Sequence, residues 1–213
     1  MKIATIEVAS IHPERWGNDL DVVNAARVSF HKISEEFTEQ DAKLINYLAK
    51  HKHHSPFNHT FLSFRIKAPI FVARQLVKHK FLPWNEVSRR YVDSEPEFYF
   101  NENWRKRANN VKQGSSQEFV DVNTWWTQHT VSLLLQEYNR LLDLEVCPEQ
   151  ARMVLPQNMM TEWIWSGTLG AFLDMLVLRL DPHTQFETQL VAKFIAGYVK
   201  QHFPASYAAY IND

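Results

Sequence analysis

Residues 60–91 read TFLSFRIKAPIFVARQLVKHKFLPWNEVSRRY. Between Thr60 and Ala68 the apolar Phe61, Leu62, Phe64 and Ile66 alternate with Ser63, Arg65 and Lys67, which is a strand pattern. Pro69 then opens a helix running to about Lys80, with Ile70, Ala73 and Val77 as its buried stripe. On another face Gln75, Lys78 and His79 are neighbours at i, i+3 and i+4. Strand and helix together aim residues 78–91, where Lys78, Lys80, Arg89 and Arg90 surround Glu86, Asn85 and Ser88, and Pro83 and Trp84 interrupt any regular element. Several cations and hydroxyl donors arriving from different directions form an anion-binding inventory. The plain alternative is a solvated basic loop, which has little use for His79, Trp84 and Tyr91.

Outward from this stretch, the N-terminal residues 2–9 alternate as a strand, and Gly17-Asn18-Asp19 offers a turn and a cap for a helix ending near Arg27 and Ser29. Thr38-Glu39-Gln40-Asp41 resembles a capping box for a helix to about Lys50. Residues 101–116 read as a mobile loop and 117–145 as one long helix whose aromatics belong to the core or to a subunit interface. A short helix from Pro148 carries Arg152, residues 157–165 read as a strand, and Gly167 to Leu180 is an apolar helix with Arg179 on its face. An unpaired guanidinium there is costly, so Arg179 must meet either an acidic partner or an anionic, carbonyl-rich ligand. Residues 184–203 form the last helix.

The 213 residues contain 23 Lys+Arg against 24 Asp+Glu, so non-specific adhesion to nucleic acid or to an anionic membrane is excluded and any positive field is local. The single Cys147, read as a packing residue, excludes an internal disulfide. No apolar run is long enough to cross a bilayer and no signal h-region follows Met1, so one soluble, cytoplasmic domain over residues 1–213 is expected. His51, His53, His54 and His59 invite a metal, but adjacent His53-His54 and the helix-breaking Pro56 give no ligand spacing, so no metal is expected.

The run Lys78-His79-Lys80, seven residues, then Ser88 resembles the Arg-His-Arg…Ser signature of the flavin-dependent thymidylate synthases. Gly17 to Leu20, Ala25 to Phe30, His53 to His59, Lys67 to Gln75, Ala151 to Pro156 and Leu178-Arg179 with Asp181 and His183 also look like that family, in family order. The resemblance implies an α+β fold, with a small, mostly antiparallel sheet packed by long helices, assembled as a homotetramer with active sites between subunits. It implies conversion of dUMP to dTMP, with methylenetetrahydrofolate as carbon donor and NADPH-reduced FAD as hydride source. Residue by residue, Gln75, Lys78, Glu86, Val87, Ser88, Arg89, Arg90, Arg152 and Arg179 resemble the dUMP shell, with Arg90 and Arg152 on the phosphate. Ser29, Ser55, Lys78, His79, Lys80, Glu86, Thr168 and Asp174 resemble FAD contacts. Arg179, Ser88 and His53 stand at the catalytic positions: Arg179 beside the uracil ring, His53 where flavin and folate meet, and Ser88 not as a nucleophile. Lys78 and Lys80 replace arginines and lose the planar fork, which implies weaker, more salt-sensitive FAD binding. Asn58, Thr168 and Asp174 stand where Glu, Asn and Asn are expected. The competing readings are a single-stranded RNA-binding module stacking bases on Trp84 and Tyr91, a metal hydrolase built on the histidines, and a degraded enzyme that binds dUMP without flavin chemistry.

Overall fold

The computed structural model describes residues 8–92, 94–109 and 114–211. Its centre is an antiparallel pair, β2 (Phe61–Pro69) and β6 (Met160–Thr168), in register from Phe61 opposite Thr168 to Pro69 opposite Met160. Strand alternation sends Leu62, Phe64 and Ile66 to the face that also receives Trp163 and Trp165. Across that face Phe64 pairs with Trp165 and Ile66 with Trp163, the bulky cross-strand pairs that fix register. β1 (Ser10–Arg15) flanks β2 and the short β3 (Trp84–Glu86) flanks β6, giving the order β1-β2-β6-β3. Gly167 lies under the 78–91 loop, where a Cβ would meet Leu82 Cδ2 at 2.4 Å and the Phe81 carbonyl at 2.9 Å. The loop's close approach to the sheet therefore depends on that glycine.

Helices cover the apolar face. α1 (Asp19–Arg27) starts in a full capping box, Asn18 accepting from the backbone of Asp21 while the Asp21 carboxylate accepts from that of Asn18. α2 (Glu39–Lys50) begins as expected at Thr38, and α3 (Ile70–Leu76) follows directly from β2. α6 (Leu169–Arg179) and α7 (Phe186–His202) pack Phe172, Leu173, Leu176, Val191 and Ile195 against the sheet. A second cluster forms around Val131, Leu135 and Tyr138 of α4 (Thr124–Asp143), together with Phe98, Ala151 of α5 (Pro148–Ala151) and Met159.

Several boundaries differ from the sequence reading. Residues 2–7 of the expected first strand lie outside the described residues, and the strand that pairs is Ser10–Arg15. The 69–80 helix stops at Leu76; its buried side chains are Val72, Ala73 and Leu76, while Val77 is 43% exposed. Phe81, at φ 61, turns the chain through the left-handed region that a bulky residue occupies only under constraint. The expected loop at 101–116 instead carries β4 (Trp104–Arg107), paired with β5 (Ser115–Val120), so the long helix starts at Thr124 under an Asn123 cap. Trp125 and Trp126 on its first turn are exposed, and Cys147 is exposed rather than packed. β6 begins three residues later than expected because a Pro156–Met159 turn comes first, and its pairing with β2 keeps Gly167 in the strand. A final helix, α8 (Pro204–Tyr210), was not expected at all.

Candidate active site

Arg179, the last residue of α6, donates from Nε to His79 Nε2 at 2.8 Å and from Nη2 to the Gln75 carbonyl at 3.1 Å. Neither partner is acidic. Half-burial and the adjacent guanidinium push the His79 pKa down from 6.5 to about 4, and burial lowers that of Arg179. His79 is thus a neutral acceptor near pH 7, and Arg179 keeps its full charge without a counter-ion among the described side chains bonded to it. Arg179 and Gln75 open onto a cleft of about 760 Å³, lined also by Gln185, Asp181 and His183.

A second hollow, of about 750 Å³, contains Glu86, Val87, Arg89 and Arg152. Glu86 is clamped there, accepting from Thr161 Oγ1 at 2.7 Å and from Trp84 Nε1 at 2.8 Å. Arg89 donates to the Ser94 carbonyl, whereas Arg152 is exposed, with only a 3.4 Å backbone contact at Glu149. Five glutamates line this hollow against Lys67, Arg89 and Arg152, and Lys67 is paired with Glu97 at 2.7 Å. Ser88 opens the next turn, its carbonyl accepting from Tyr91 and its hydroxyl from the Arg90 backbone. Arg90 itself folds over the Tyr91 ring, 4.8 Å from its centroid.

A third hollow of about 970 Å³ gathers Arg27, Ser29, His53 and Ser55 beside Phe30 and Tyr47. Arg27 is tied to Asp41 and Ser34, so it is structural. The histidines cluster as rings around Tyr47, and no group of three metal-ligating side chains occurs among the described residues. A fourth, of about 410 Å³, is lined by His54, Asn58, Phe81, Thr168 and Asp174. Lys78 and Lys80 are exposed and line none of these four. The site residues expected from sequence are therefore spread over separate faces, and Arg179 and Arg152 share no hollow.

A flavin-dependent thymidylate synthase of Kosmotoga olearia is 40% identical to this chain, covering 100% of it and 94% of the relative. A family model described as thymidylate synthase complementing protein matches residues 14–205. The chain belongs to the flavin-dependent thymidylate synthase family. A thymidylate synthase of the same name from Thermus thermophilus is 39% identical over 92% of this chain and 73% of the relative. Among solved structures, the UMP/dUMP methylase PolB of Streptomyces cacaoi bound with 5-Br dUMP superposes with a TM-score of 0.84 at 27% identity, covering 94% of each chain.

Three of the five residues that the sequence reading takes as departures from the family pattern, Asn58, Thr168 and Asp174, line the fourth hollow. Thr168 Oγ1 donates to Asn58 Oδ1 at 2.8 Å and accepts from the Ala171 backbone at 3.2 Å, capping α6. The two substitutions thus satisfy each other. Asp174 is exposed there; burial first, and then the Asp174 charge, push the Tyr210 hydroxyl up to about 12.

The sequence reading missed Arg105, Gln185 and Glu187. Arg105 Nη2 binds Glu187 Oε1 at 2.6 Å, Gln185 Nε2 donates to Glu187 Oε2 at 3.0 Å, and Gln75 Nε2 donates to Gln185 Oε1. A signal was present: Glu187 lies four and eight residues before Val191 and Ile195, on the buried stripe of α7, and is 2% exposed. A carboxylate on an apolar stripe requires a cation.

Proposed function

We propose that this chain is an FAD-dependent thymidylate synthase that converts dUMP to dTMP, taking the carbon from methylenetetrahydrofolate and reducing equivalents from NADPH. The observation that carries the reading is Arg179, a desolvated guanidinium held by two neutral acceptors at the mouth of a cleft. Its charge is not cancelled by a carboxylate among the described side chains bonded to it, so it is available to a pyrimidine ring on which negative charge develops. His79 supports this by staying unprotonated: an imidazolium there would repel the guanidinium and give it no acceptor.

The third hollow fits a flavin. Serine hydroxyls and an imidazole, with Tyr47 and Phe30 as ring-sized walls, match the mixed polar and aromatic edge of an isoalloxazine. When bound, reduced flavin supplies the hydride. Ser29, Ser55 and His53 would orient its edge, and Glu86, fixed by Thr161 and Trp84, would accept from a nucleotide hydroxyl or imide. Arg152 and Arg90 are the phosphate donors; because they lie apart and the Glu86 hollow carries more carboxylates than cations, further positive charge must arrive from a second copy. The exposed Lys78 and Lys80, together with exposed Trp125 and Trp126 as contact surface, favour a homotetramer with sites between subunits. The RNA-binding alternative loses one of its two platforms, since Trp84 stacks on Trp163 at 4.3 Å and donates its indole N–H to Glu86.

The test is turnover. With dUMP, methylenetetrahydrofolate, NADPH and FAD the chain is expected to form dTMP, and Arg179→Ala is expected to lower kcat by about 10²-fold or more while dUMP still shifts the flavin bands. Formation of no dTMP by the native chain, with flavin lost on desalting and no spectral response to dUMP, overturns the reading.

A further inference from the structure

Behind the Arg179 cleft runs a continuous hydrogen-bonded chain. Its far end is Arg105 in the β4–β5 hairpin, which also donates from Nε to Ser115 Oγ at 2.7 Å, across the hairpin. Arg105 reaches Glu187 in the first turn of α7, Glu187 accepts from Gln185, Gln185 accepts from Gln75, and the Gln75 carbonyl accepts from Arg179. The whole chain is half-buried or buried.

The polarity of this chain is forced from one end. A guanidinium only donates and the carboxylate paired with it only accepts. Gln185 must therefore turn its NH₂ toward Glu187, which leaves its oxygen toward Gln75. Gln75 must in turn spend an N–H on that oxygen. Amide orientations are ordinarily ambiguous, because oxygen and nitrogen have nearly the same shape; here the donor-only Arg105 removes the ambiguity two residues away. Among the described residues no group donates to Gln75 Oε1, so this oxygen is the acceptor that Gln75 offers to the cleft it lines. Arg179 lines the same cleft and holds the backbone carbonyl of Gln75 through Nη2 and His79 through Nε, which leaves Nη1 as a donor without a partner among the described residues. An acceptor next to a donor complements the imide edge of a uracil, which shows N3–H next to a carbonyl oxygen. At that same N3 position a cytosine shows a bare lone pair, and Gln75 Oε1 would face it acceptor to acceptor.

We propose that Glu187, acting through Gln185, is a positioning residue that fixes the acceptor face of Gln75 toward the pyrimidine and so makes the cleft select a uracil over a cytosine nucleotide. The inference rests on the thymidylate synthase reading for the presence of a pyrimidine nucleotide in this cleft, and goes beyond it by assigning base selection to Glu187, which does not line the cleft. In Glu187→Gln the amide oxygen must stay on the donor-only Arg105, which turns the new NH₂ toward Gln185 and reverses the chain, so that Gln185 offers its NH₂ and not its oxygen to Gln75. In Gln185→Ala the Arg105–Glu187 pair stays intact and only the link to Gln75 is cut.

The experiment is binding of dUMP and of dCMP to the FAD-loaded full chain by calorimetry, for the native protein and both variants, followed by steady-state kinetics with dUMP. The expected result is a fall of about five- to tenfold in the dUMP-over-dCMP preference in each variant, the loss of one oriented hydrogen bond. The KM for dUMP should rise by a similar factor while kcat at saturating dUMP stays within about twofold of native. Should Glu187→Gln not fold because the half-buried Arg105 loses its counter-charge, Gln185→Ala alone decides. An unchanged preference in Gln185→Ala, or a loss of kcat with the preference kept, overturns the proposal. Failure of the native chain to bind dUMP removes the functional reading and this proposal together, whereas native binding with unaltered variants removes the proposal alone.

Discussion

At Arg179 the local sequence posed a problem that it did not solve. A guanidinium at the end of an apolar helix was expected to meet a carboxylate or a ligand, and it meets an imidazole and a backbone carbonyl. The imidazole records this in its titration. The folded pKa of His79 is about 4 against 6.5 when free, so between those values the unfolded chain binds a proton that the folded chain refuses. Stability from this residue is complete above about pH 6.5 and is lost as pH falls through that window to about 4. The thermal midpoint of the native chain should therefore decline across that range more steeply than that of His79→Gln, which carries no ionisable group there. Parallel declines in scanning calorimetry would show that His79 is not held neutral by its burial and the adjacent Arg179. The sequence put His79 on one helical face with Gln75, four residues on, but α3 stops at Leu76 and His79 lies in the turn beyond it; its partner was not legible, since Arg179 arrives from a helix 100 residues away.

At the level of elements, legibility followed local chemistry. α1 and α2 were readable from their caps, and β2 from its alternation, because each is specified within a few residues. The β4–β5 hairpin was not, because Asn, Gly and Ser look like loop until the Arg105–Glu187 pair and cross-strand bonds hold them. α8 was missed for the opposite reason: Pro204 reads as a helix stop after α7, yet proline is equally suited to the first turn of a new helix. What starts α8 is remote. Asp19, 5% exposed on α1, accepts from the Ala205 backbone at 2.8 Å and from the Ser206 backbone at 3.1 Å, and also takes the Ser206 hydroxyl at 2.5 Å. Its Asn replacement keeps the size but turns one acceptor oxygen into a donor facing the Ala205 or Ser206 N–H. Asp19→Asn should cost about 1–2 kcal/mol, the worth of a helix cap, and lower the thermal midpoint by about 2–8 °C. The α8 amides should also lose hydrogen-exchange protection before those of α7. Uniform loss across both helices would mean that Asp19 supports the core generally and does not latch α8.

Across the whole molecule, residues that resemble one active site in sequence order lie on different faces of one chain. Arg179 lines one hollow, Glu86 and Arg152 a second, His53 and Ser55 a third, and Lys78 and Lys80 none of the four. Sequence motifs name these residues but not their separation, because a motif carries no record of distance in the folded chain. The exposed aromatic turn at Trp125 and Trp126, 53% and 63% exposed, is the kind of surface that a second copy covers. If each site takes Arg179 from one subunit and Arg152 from another, the Arg179→Ala and Arg152→Ala homo-oligomers are both inactive, but their mixtures are not. In a randomly co-assembled equimolar mixture, about one site in four draws both arginines from subunits that still have them, so about a quarter of native turnover should return. Co-expression with two affinity tags, purification through both, and assay of dTMP formation measure this directly. No recovery in a verified hetero-oligomer would place both arginines in one subunit's site, and then a rearrangement within a single chain, closing the Arg152 hollow onto the Arg179 cleft, would have to bring them together.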